Sequence, residues 1–163
     1  MITRRDLIKE KLADFVKVHV LLAECYSKTG ALFESKKNIE KAGAAILIFR
    51  LMGAGIEETK QVFAPYYLAY PKYKFGLRPS NKKSFTFTKS VKYLIEMGLH
   101  FSNMEGESEE GKEISRQNSI AGLCIFEMCG TKEEKDVWLS FLKNVVFSFD
   151  SQVGIYVTAP RMH

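Results

Sequence analysis

The chain has 163 residues, of which 46% are hydrophobic and 26% charged, the length and balance of one ordinary globular domain. A domain of that size buries roughly 70% of the surface its unfolded chain exposes, so its core requires neither disulfides nor a structural metal. Three cysteines, Cys25, Cys124 and Cys129, are an odd set with no disulfide spacing. They are expected to be buried reduced thiols in a reducing, cytoplasmic setting. The charged N-terminus lacks the apolar centre of a signal peptide. The longest uncharged apolar run, residues 42–49, falls far short of the roughly 20 residues of a membrane span, and no membrane partner is expected.

In chain order, the first periodic segment covers about residues 3–27. Leu7, Ile8, Leu12, Phe15, His19, Leu22 and Tyr26 recur at helical intervals and predict one buried face. Thr3 reads as the N-cap, with Asp6 in the capping-box position, and Gly30 as the stop. Ser35 is the expected cap of a second helix over about 36–52, whose small residues Ala42, Gly43, Ala44 and Ala45 would allow close helix approach. Gly53-Ala54-Gly55 breaks it, a third helix starts near Ile56, and Pro65 interrupts or kinks that one.

Residues 73–77 and 84–88 alternate large and polar side chains around a turn-forming stretch at 78–83, which predicts a β-hairpin over about 73–88. Helical periodicity returns over about 89–101. A glycine- and glutamate-rich loop follows at 103–112, carrying Glu105, Glu107, Glu109 and Glu110, then a helix over about 114–128 that ends at Gly130. Thr131, with Glu134 three residues on, caps a last helix bearing Val137, Trp138, Phe141, Leu142, Val145, Val146 and Phe149 on one broad face. Residues 154–158 alternate like an edge strand. The expected fold is mainly α: a compact single domain of about six helices with a small hairpin and a C-terminal edge strand. The Trp138 helix is assigned to the core, or alternatively to a homodimer interface.

Charge is unevenly distributed. Residues 1–58 carry +2 and residues 96–163 carry −5, whereas residues 59–95 hold eight basic side chains and no acid. The same stretch contains nine of the twenty aromatics: Phe63, Tyr66, Tyr67, Tyr70, Tyr73, Phe75, Phe85, Phe87 and Tyr93. Cations neutralise phosphates and release counterions, exposed aromatic faces stack on unpaired bases, and tyrosine hydroxyls reach phosphate oxygens. The expected nucleic-acid-binding residues are Lys60, Lys72, Tyr73, Lys74, Arg78, Lys82, Lys83, Lys89 and Lys92.

A helix, a tight Gly53-Ala54-Gly55 break, a second helix and a basic-tipped hairpin form an order of elements that resembles the winged helix-turn-helix domain over about residues 36–90. The resemblance implies DNA binding, with Lys60 and Gln61 on a recognition helix and Arg78, Lys82 and Lys83 on a wing. The chain departs from the pattern at Pro65, inside the recognition helix, and at Glu57 and Glu58, where phosphates would approach.

Patterns that would support catalysis are thin. His19, His100 and His163 have no zinc spacing. Cys124 and Cys129, five apart, spread around a helix and do not align as ligands. Glu96 and His100 have the spacing of a carboxylate–imidazole pair, and Glu34-Ser35-Lys36 has the Glu-x-Lys spacing of metal-dependent nucleases. The first is read as a solvated pair on a helix surface, and the second lacks the strand and upstream aspartate its chemistry needs. No phosphate loop or nucleophile elbow is present. The expectation is a non-enzymatic nucleic-acid-binding or regulatory protein without catalytic residues, metal or cofactor. The alternative is a small protein-interaction module, an inhibitor or adaptor of the sort mobile elements encode. Such a module would occlude a partner's acidic surface.

Overall fold

The computed structural model describes residues 1–71 and 84–150, the last five as backbone alone. Eight helices occupy the described residues: α1 (Arg4–Lys28), α2 (Leu32–Leu51), α3 (Ile56–Val62), α4 (Ala64–Ala69), α5 (Phe87–Ser102), α6 (Glu109–Cys129), α7 (Lys132–Val137) and α8 (Leu139–Asp150). Among them no helix is long and apolar enough to cross a membrane. The protein is a helical bundle in which α2 packs against α1, α5 and α6.

Two antiparallel helix pairs form its frame. In the first, Gly30 takes the left-handed φ of 82° that lets the chain reverse after α1. Ser35 Oγ then donates to the Ala23 carbonyl at 2.7 Å, and the His19 Nδ1 sits 2.8 Å from Asn38 Oδ1. Rising numbers on α2 thus meet falling numbers on α1. In the second pair Ser119 Oγ donates to the Ile95 carbonyl at 2.8 Å. Glycines bring these backbones together: a Cβ on Gly98 would lie 2.7 Å from the Ser115 carbonyl oxygen, and one on Gly122 would lie 2.7 Å from Ile95 Cγ1. Gly98→Val forces branched bulk into that crossing. It is expected to lower the unfolding free energy by about 1–3 kcal/mol in urea denaturation.

Residues 42–46 of α2 are all buried, as are Ile48 and Phe49, so this helix is covered on nearly every side. The four small residues in that run fit the close approach expected of them. Thr3 and Thr131 close complete capping boxes with Asp6 and Glu134, as the sequence predicts. α3 ends at Val62 and α4 starts at Ala64 with Pro65 in its first turn, where a missing N–H costs nothing.

Several expectations are corrected. The buried face of α1 is Ile8, Leu12, Val16, Val20 and Ala23. Leu7, Leu22 and Tyr26 are exposed, and Phe15 and His19 are half-buried. Apolar residues lie on both sides of α1, and the smaller set is the one that fits against α2. Ser35 caps nothing: α2 begins at Leu32 after Ala31, and the Ser35 hydroxyl is occupied by Ala23. α6 starts five residues earlier than expected, because Ser108 accepts from the Gly111 N–H and Glu109 and Glu110 sit favourably at the positive end of the helix dipole.

Phe87 and Thr88, assigned to a hairpin strand, form the first turn of α5, since Thr86 accepts from the Lys89 N–H and caps it. No strand occurs among the described residues. Residues 84–86 of that hairpin form no strand either, and its remainder, 73–83, lies outside the described residues, as does the edge strand at 154–158. The last helix is divided at Trp138, leaving Val137 and Leu139 exposed. Trp138 itself stacks on Phe126 with centroids 4.3 Å apart and packs against the core. Cys25 is exposed and Cys124 and Cys129 are half-buried, not fully buried thiols. Burial raises the Cys129 pKa.

Burial also lowers the pKa of His19. The Asn38 amide nitrogen donates to the Glu34 carbonyl, so its oxygen faces the imidazole and Nδ1 carries the proton. With the folded pKa below the unfolded one, the contribution to stability is present above the ordinary histidine pKa and lost as pH falls through the folded value. Urea midpoints should therefore drop between about pH 7.5 and pH 5.5, and His19→Gln should flatten that decline.

Candidate nucleic-acid interface

The start of α5 presents a mixed cationic and aromatic face. Thr86 fixes the first turn, and with it the directions of Lys89, Lys92 and Tyr93. Lys89 Nζ lies 4.5 Å from the Phe85 ring centroid, within cation–π range. Tyr93, one turn on, is 45% exposed and meets Phe85 edge-to-face at 6.1 Å. Lys92 is exposed beside it, 3.9 Å from Glu96 and 5.3 Å from the Phe141 ring centroid. An ion pair this open to solvent is weak, and a phosphate can displace it.

This face is tied to the other basic elements by backbone. The Phe85 N–H donates to the Leu51 carbonyl at 2.8 Å. Ser84 packs so closely on Gly53 that a side chain there would come 2.3 Å from Ser84 Oγ, and Gly53 has a φ of 98°. Ser84 and Phe85 thus lie at the α2–α3 turn, ahead of the short helix that exposes Lys60 and Gln61. Among the described residues, Lys60 and Lys89 form no ion pair. Lys72, Tyr73, Lys74, Arg78, Lys82 and Lys83 lie outside the described residues, between Pro71, just after α4, and Ser84.

The first turn of α1, which the charge count over 59–95 does not include, joins the same region. Arg5 holds Glu58 through two hydrogen bonds of 2.8 and 3.2 Å, with Lys9 4.0 Å away. The hydrogen bond from Arg5 keeps the Glu58 carboxyl below its usual pKa. One of the two acids expected to repel phosphate is therefore charge-compensated, and Glu57 remains exposed. Arg4 pairs with Glu134 and lies over the Phe87 ring. The signal for both contacts is the Arg4-Arg5 pair at the cap of α1, but finding their partners requires the fold.

Most of the aromatics in the basic stretch serve packing. Phe63, Tyr66 and Phe87 are buried, Phe49 meets Phe63 edge-to-face at 5.5 Å, and Tyr67 and Tyr70 are half-buried. Burial pushes the Tyr67 hydroxyl up to about 12. Phe85 and Tyr93 are the described aromatics of this stretch that stand beside its lysines at the surface.

The other candidate chemistries are dispersed. Glu96 pairs with Lys92 while His100 meets Phe101 edge-on. Glu34-Ser35-Lys36 lies on helix α2, with Glu34 paired to Lys37 and Lys36 to Glu110. No group of His, Cys, Asp and Glu that could hold a metal occurs among the described residues. No protein-family model matches the chain, and neither a curated protein nor a solved structure is detectably similar to it.

Proposed function

We propose that this protein binds nucleic acid as a non-enzymatic, regulatory factor. Lysines along residues 60–92 capture the phosphate backbone, and Tyr93, beside Phe85, offers a ring on which a base can stack. The observation that carries the reading is the Phe85–Lys89–Tyr93 contact at the start of α5, with Lys92 alongside. Neutral rings and mobile ammonium groups share one exposed surface there, as a strand of alternating bases and phosphates demands. Lys60 and Gln61, on the helix after Gly55, supply any selectivity among sequences.

Five further cations, at 72, 74, 78, 82 and 83, precede this face in the sequence. Reversing two of them, Lys82→Glu with Lys83→Glu, is expected to abolish binding to a labelled oligonucleotide in fluorescence anisotropy while leaving the helical circular dichroism intact. Unchanged binding by the double variant refutes the assignment. Tight stoichiometric capture of one acidic protein, with no affinity for DNA or RNA, supports the interaction-module reading in its place.

A further inference from the structure

We infer that the outer face of α1 is a self-association surface, on which a second copy of the chain packs its own α1 in antiparallel orientation. This goes beyond the nucleic-acid reading and does not depend on it. Val18 and Leu21 are 52% and 53% exposed, and Leu22 and Cys25 are exposed beside them. At about 3.6 residues per turn, positions 18, 21, 22 and 25 form a continuous apolar stripe, directly opposite the Val16, Val20 and Ala23 face that packs on α2. A solvated helix face has no need of four such side chains at that spacing. The same stripe on another copy is an apolar surface of matching length.

Charge selects the partner and its direction. Asp14, Lys17, Glu24 and Lys28 are exposed along the stripe, and among the described residues none of them forms an ion pair. When two α1 helices run antiparallel about a twofold axis at the level of Leu21, Lys17 of each copy lies level with Glu24 of the other. Asp14 likewise lies level with Lys28. The twofold axis keeps each charged flank beside its own counterpart, so both attractive pairs occur twice, as an isologous interface requires. In a parallel pair the twofold axis runs along the helices and puts the two charged flanks on opposite sides of the interface, so neither attractive pair is made. The stripe is thus self-complementary in one orientation.

Leu21→Glu puts a charge at the centre of the stripe without touching the core. Sedimentation equilibrium at about 100 μM chain is expected to give twice the 18.6 kDa chain mass for the unaltered protein and the single mass for the variant, with equal helical circular dichroism. Lys17→Glu alone should weaken association about tenfold, and adding Glu24→Lys should restore it.

Orientation is read by cysteine cross-linking. On air oxidation Val18→Cys should form an intermolecular disulfide with Cys25, because positions 18 and 25 are almost level across the interface, whereas Cys25 and its copy sit about 12 Å apart along the helix direction. That disulfide should vanish when Cys25→Ser is added. A chain that is monomeric at this concentration, a dimer indifferent to Leu21→Glu, or a cross-link that survives Cys25→Ser each overturns the proposal.

Discussion

Phe49→Ala is expected to destabilise the protein by about 3–5 kcal/mol, the range for removing a large ring from a packed interior. Phe49 is fully buried on the most enclosed helix, meets Phe63 edge-to-face, and lies beneath the Arg5 guanidinium at 5.1 Å. Its loss opens a cavity where α2 packs beneath α3 and removes the ring on which Arg5 rests while holding Glu58. The unfolding midpoint in urea measures the first effect. A smaller penalty of about 1 kcal/mol would mean that neighbouring helices close the gap.

The second large effect concerns binding. Lys89→Glu with Lys92→Glu replaces two cations at the start of α5 with anions and puts carboxylates beside Glu96. Affinity for a single-stranded oligonucleotide is expected to fall about a hundredfold at low salt. Losing two phosphate contacts is compounded by repulsion, and the salt slope should flatten by about two phosphates' worth. Tyr93→Ala should act differently. It removes a stacking ring at a cost of about 1–3 kcal/mol for unpaired bases and leaves the salt slope unchanged. Both changes lie on an exposed helix face, so thermal unfolding should barely move. Isothermal titration at two salt concentrations separates the charge contribution from the stacking contribution.

The helices were readable in the sequence wherever a local rule determined them. Thr3 with Asp6, Thr131 with Glu134, the Gly53 turn and Pro65 each act within three or four residues, and each appears in the fold as the local chemistry requires. Features set by distant partners were not readable. Ser35 looks like a cap until the Ala23 carbonyl arrives from α1. The α1 face could not be chosen from α1 alone, because Leu21 and Leu22 are as apolar as Val16 and Val20, and only the narrow approach of α2 decides between them.

At the candidate site the local charge excess was plain, as eight cations without an acid between residues 59 and 95. The compensation of Glu58 by Arg5 and of Glu134 by Arg4 was hidden, since those partners lie 53 and 130 residues apart. The Phe85–Lys89–Tyr93 contact was half visible: Lys89 and Tyr93 are one helical turn apart, but only the Thr86 cap starts the helix early enough to align them with Phe85.

The central claim is that the basic stretch captures phosphates. It is tested most directly by titrating the unaltered protein against single- and double-stranded DNA and RNA at about 50 and 200 mM salt. About five phosphate contacts predict an affinity that falls roughly a hundredfold across that interval. No binding at the lower salt, or binding that ignores salt, contradicts the account.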